Sequence, residues 1–132
     1  MRIVALAAGA LAIAACAQAA PVSCPAPAGV VSATLDNGKA PAALIRVIGP
    51  MARPGQPFNA TDVIMNPNTP GRRFILLWGL GSKWVVAYEQ GGIAYMNEAV
   101  AYQVSGGSVS KVAEKDAEPP TICAAVHALI GR

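Results

Sequence analysis

The chain has 132 residues, 54% of them hydrophobic and only 13% charged, with a net charge of +3. Its basic residues are scattered apart from Arg72-Arg73, so the field is too weak for a nucleic-acid footprint. A single histidine, beside cysteines expected to bridge, excludes a His/Cys zinc site. There is no G-x-S-x-G elbow, no P-loop and no dinucleotide fingerprint.

Residues 1–20 read as an export signal. Arg2 precedes an apolar run from Ile3 to Ala15, and Ala17-Gln18-Ala19 supplies small residues for cleavage. The run is shorter than the roughly 20 residues a spanning helix needs. Ile13 to Cys16, "IAAC", resembles the lipobox of bacterial lipoproteins, in which the cysteine is lipidated and becomes the new N-terminus. Cys16 is therefore a lipidation candidate, with the signal ending at residue 15. The alternative is ordinary cleavage after Ala19 or Ala20, which discards Cys16. Either route leaves a mature chain the size of one domain. The expected organisation is a signal over 1–20, a Pro/Ala linker over 21–29 and a single domain over 30–132. The expected location is periplasmic or extracellular, or lipid-anchored to the envelope. Cys24 and Cys123 remain in every case, and in an oxidising compartment they should form a disulfide.

Along the domain, "VVSATL" (30–35) is a short strand candidate before the turn signal Asp36-Asn37-Gly38. Leu44, Val47, Ile48 and Met51 stand at helical spacing, and Gly49-Pro50 is a stop. This predicts a helix over about 40–49. Residues 50–70 are dense in Pro and Gly and read as loop, with 61–65 an edge strand at best. Asn59-Ala60-Thr61 has the N-x-T pattern, for which a turn role is expected. Four strands follow, over 72–78, 83–90, 93–104 and 108–115, separated by Gly-containing turns. Residues 118–132 read as a closing helix with Pro120 in its first turn and Gly131 after its last.

Two-residue turns at Gly91-Gly92 and Gly106-Gly107, with a turn near Leu80-Gly81, predict the cross-strand pairs. Glu89 falls opposite Arg72, and Glu98 falls opposite Lys115, with all four on one sheet face. These read as register charges. The rival reading is a glycosidase-like carboxylate pair, for which that register leaves the two glutamates too far apart. Phe74, Leu76, Met96 and Tyr102 share that same charged face and are candidates for a binding surface. The opposite face, with Trp84 and Tyr88, is expected to be covered. His127 stands four residues after Cys123 on one helix face. It would form a nucleophile pair only if that thiol were free. Asp62 is an isolated loop carboxylate, and "GLGSK" (79–83) lies between strands rather than before a helix.

The expected fold is α+β: a four-stranded antiparallel meander with an N-terminal and a C-terminal helix on one face. The expected function is a small exported, non-enzymatic binding or envelope-associated protein. Its partner would be a protein, peptide or envelope component, and no catalytic residue, metal or cofactor is assigned. The alternative is a small periplasmic hydrolase using carboxylates.

Overall fold

In a computed structural model, which describes residues 21–64 and 66–131, the chain is an α+β domain built on one antiparallel sheet. Its elements are β1 (Val31–Ala33), α1 (Ala42–Ile48), β2 (Arg72–Leu80), β3 (Lys83–Gln90), β4 (Met96–Ser105), β5 (Ser108–Ala117) and α2 (Ile122–Ile130). A short 3₁₀ turn, Pro119–Thr121, leads into α2. The sheet order is β1-β2-β3-β4-β5, so it has five strands rather than the four expected. The extra strand is the 30–35 candidate, reduced to three residues that pair with Leu77, Trp78 and Gly79.

The helices lie on opposite faces of the sheet, not on one. Leu44 and Ile48 of α1 pack with Leu77, Trp84, Val86 and Val100. Ile122, Val126, Leu129 and Ile130 of α2 pack with Trp78, Val85, Ala87, Ala99 and Ala101. Strand β3 feeds both layers by simple alternation: Trp84, Val86 and Tyr88 point to α1, Val85 and Ala87 to α2. A strand buried on both faces carries an unbroken apolar run, which "WVVAY" supplies. The alanines on the α2 side leave room for close approach of that helix, whose larger side chains fill the layer.

Local signals end the elements as their chemistry requires. Gly49 caps α1 at a φ of 74° and donates its N–H to the Ile45 carbonyl. Arg72 donates from Nη2 to the Ile48 carbonyl at 2.7 Å, so a cation meets the C-terminus of α1. Gly106 and Gly107, both at positive φ, form the two-residue turn between β4 and β5. Cys24 and Cys123 are bridged, with their Cα atoms 5.4 Å apart, and tie the segment before β1 to the first turn of α2. No helix among the described residues is long and apolar enough to cross a membrane. The signal segment and Cys16 lie outside the described residues.

Candidate functional site

The register of the sheet decides which polar groups meet. Gly91-Gly92 is not a two-residue turn: Gln90 pairs with Met96, leaving a five-residue loop over 91–95 with Ile93 94% exposed. The reason lies in Gly91. Its N–H bonds to the Gly71 carbonyl, and its Cα passes so close to the 59–60 backbone that a Cβ would lie 1.8 Å from the Asn59 carbonyl oxygen. The glycine serves a close backbone approach rather than a tight reversal. The longer loop displaces β4 by an odd number of residues, which exchanges its two faces relative to β3. Two bulges do the same locally, one between Phe74 and Leu76 and one between Ala101 and Tyr102.

Both expected charge pairs are corrected by the register: the first turn is Gly81-Ser82 rather than Leu80-Gly81, since Leu80 pairs with Lys83, and a bulge follows in each of the two strand pairs concerned. Glu89 pairs with Arg73, not Arg72. Glu98 lies opposite Asp116, a like charge, while Lys115 lies opposite Ala99. Glu89 and Glu98 occupy opposite faces of the sheet, since Glu89 alternates with Ala87 on β3 and Glu98 with Val100 on β4. They therefore cannot form a carboxylate pair. The expected binding face is likewise divided. Phe74 is buried and Tyr102 half-buried on the α1 side, Leu76 is buried beneath α2, and Met96 is half-buried at the start of β4. His127 lies edge-on to Trp78 with centroids 5.2 Å apart, and its neighbour Cys123 is bridged. Asp62 is exposed in the long loop. Asn59 acts as a loop clamp, donating from Nδ2 to the Asn66 and Thr69 carbonyls at 3.0 and 2.6 Å.

What the register does assemble is a cleft of about 560 Å³ at the ends of the three inner strands, β2, β3 and β4. Pro21 and Val22 form one wall, Pro54 and Gly55 another, and Pro119 a third. Its polar groups come from three adjacent strand ends and the 91–95 loop: Arg73, Glu89, Asn97 and Tyr95. The Arg73 guanidinium grips Glu89 with two nitrogens, Nη2 to Oε1 at 2.8 Å and Nε to Oε2. The Tyr95 hydroxyl donates to Glu89 Oε1. Phe58 lies against the guanidinium, 4.6 Å from ring centroid to Cζ, with Tyr95 next to it. Bidentate geometry, partial burial and the aromatic cover make this a strong pair.

Its titration follows. Burial alone would push the Glu89 carboxyl up, but the Arg73 and Tyr95 hydrogen bonds outweigh it and hold the carboxyl below the usual range. Burial, then the bond to Glu89, pushes the Tyr95 phenol up to about 12. Two pH limits are expected. Glu89 stabilises the fold fully above the ordinary carboxylate value, and that contribution disappears as pH falls through its depressed folded value. Tyr95 contributes below about pH 10, and its contribution disappears as pH rises from about 10 to 12, because the unfolded chain then loses the proton first. Urea midpoints measured across pH 3–12 check both signs, with Tyr95→Phe abolishing Tyr95's share of the alkaline loss.

The glutamates should also differ on mutation. Glu89→Gln is expected to cost about 1–3 kcal/mol, since it removes a charge-assisted bidentate partner from a half-buried arginine. Glu98→Gln is expected to change stability by less than about 0.5 kcal/mol, or to raise it slightly by relieving the like charge opposite. Equilibrium denaturation of both variants checks this.

Asn97 lies in the floor of the cleft. It is 1% exposed, and its Oδ1 has no hydrogen-bond partner. An unsatisfied buried acceptor costs about 1–3 kcal/mol. Neither Asn97 nor Arg73 is singled out by alternation arguments. The available signal is that "MNEAVAY" sets one amide on the same face as Ala99 and Ala101.

A second, more apolar cleft of about 650 Å³ lies across the Pro50–Pro54 segment, between Leu35, Ile45, Met51 and Phe74. Its charged groups are Asp36, Arg46 and Arg53; Asp36 and Arg53 pair with each other at 2.6 Å in an exposed position, where such a bridge contributes little. Among the described residues no three His, Cys, Asp or Glu side chains cluster as metal ligands. Comparison of the chain with protein-family models, with curated proteins and with solved structures finds no match.

Proposed function

We propose that this is a small exported, non-enzymatic binding protein that holds a component of the cell envelope in the Arg73–Glu89–Tyr95–Asn97 cleft. The carrying observation is the cleft itself. Its volume is in the range of small-ligand sites, its walls are largely apolar, and a few convergent polar groups face into it. The signal pattern over 1–20 supports export, and the Cys24–Cys123 bridge fits an oxidising compartment. A lipid on Cys16 would hold the cleft close to the membrane, because Pro21 and Val22 already form its wall.

The hydrolase reading has less support. Glu89 is neutralised by Arg73, Glu98 is on the other face, and Asp62 is exposed in a loop. A general acid needs a carboxyl raised toward neutral pH, and Glu89 is shifted the other way.

The test is thermal stability of the purified protein with fractionated envelope extract. A fraction that raises the melting temperature of the wild type but not of Tyr95→Ala supports the reading. Equal shifts in both proteins, or no shift with any fraction, would contradict it.

A further inference from the structure

Asn97 is a costly residue to bury where it stands. Ala99 and Ala101 follow it on the same face, and an apolar side chain at 97 would fill the floor without leaving an acceptor unpaired. The orphaned oxygen lies at a cleft whose other polar groups are already occupied with one another. Arg73 and Glu89 cancel in charge, and Tyr95 spends its proton on Glu89. The cleft thus offers a neutral array above one unpaired acceptor that is enclosed in its floor.

We propose that the cleft binds a neutral saccharide, one ring of which donates a hydroxyl hydrogen bond to Asn97. This rests on the reading of the cleft as a ligand site and names the class of ligand. A charged ligand would have to compete with the internal ion pair, whereas a neutral polyol adds hydrogen bonds without breaking it. The floor is almost closed, so the donor must be compact, and a hydroxyl is smaller than a substituted peptide amide. The half-exposed Tyr95 ring presents an apolar face for the C–H surface of a sugar, with its phenol end polar.

A peptide fits less well. Three walls are proline, at 21, 54 and 119, and offer no backbone N–H. The adjacent edge of β2 is already taken: Ala52 donates to the Arg72 carbonyl and accepts from the Phe74 N–H, each at 2.9 Å. An extended peptide therefore finds no ladder to join there.

Calorimetric titration of the purified protein with three probes tests this: chitotriose, maltotriose and a capped trialanine. At least one trisaccharide should bind. Asn97→Val should weaken that binding tenfold or more while raising the melting temperature, because the orphaned acceptor is gone. Should Asn97→Val fail to fold, Tyr95→Ala supplies the second reading and should also weaken binding at least tenfold. Undiminished sugar binding by Asn97→Val, or by Tyr95→Ala where the first variant does not fold, would overturn the proposal. Binding of the peptide alone, sensitive to Tyr95→Ala, would overturn the saccharide assignment and leave the cleft as a ligand site. No binding of any probe, together with no response to envelope fractions, would overturn both.

Discussion

Replacing Cys24 and Cys123 together with serine is expected to lower the unfolding free energy by about 3–5 kcal/mol. The bridge spans a sequence separation of 99, and closing a loop of that length restricts the unfolded chain by about 4.7 kcal/mol in the entropic description. A domain of this size has roughly 5–15 kcal/mol in total, so the loss is a large fraction. It should also reach the cleft. Cys24 and Cys123 are partly buried against the α2 layer, and Pro21 and Val22, just before Cys24, form a cleft wall. Without the bridge nothing covalent holds that wall to α2. Urea denaturation of the oxidised protein, the double serine variant and the reduced wild type checks this. The last two curves should coincide, well below the first.

Gly91→Ala is the second large effect, and it acts on the site directly. The new Cβ would meet the Asn59 carbonyl oxygen at 1.8 Å and the Ala60 Cα at 2.9 Å. These are backbone atoms, so no side-chain rotation relieves the contact. Ordinary overpacking costs about 1–3 kcal/mol, and this clash should exceed that by pushing the 58–60 segment off the sheet. Phe58 would leave Arg73, and the 91–95 loop that carries Tyr95 would lose its register. Gly92→Ala is the control. It has open space but a φ of 128°, so it should show only local strain of about 1–3 kcal/mol. Thermal melts combined with amide spectra distinguish the two: Gly91→Ala should move resonances of residues 58–60 and 73, while Gly92→Ala should not.

These two sites show how unevenly the structure can be read from the chain. Features set by local chemistry are legible. Helical spacing with a Gly-Pro stop marks α1 to within two residues, Gly106-Gly107 marks its turn, and compartment plus cysteine count mark the bridge. Features set by long-range contact are not. Nothing in "QGGIAY" reveals that Asn59 will pack on Gly91, yet that contact converts a two-residue turn into a five-residue loop. Bulges are similarly silent, because an extra residue in a strand leaves the composition unchanged while reversing the faces beyond it. Ile75 and Val112 each sit at such a break. The consequences fell on the candidate site. Glu89 was legible as a paired carboxylate, but its partner moved by one residue, from Arg72 to Arg73. Asn97 carries no sign in the chain of what it becomes, a buried residue whose Oδ1 has no partner. β1 was legible as a strand but not as a sheet member, since three residues carry too little pattern to place it.

The most direct test of the cleft as the ligand site is amide chemical-shift mapping of the ¹⁵N-labelled protein on addition of a bound saccharide. The shifts should gather at Val22, Gly55, Arg73, Glu89, Tyr95 and Asn97, and leave Leu35, Ile45 and Arg53 of the apolar cleft unmoved. Shifts centred on that second cleft, or along the exposed edge of β5, would contradict it.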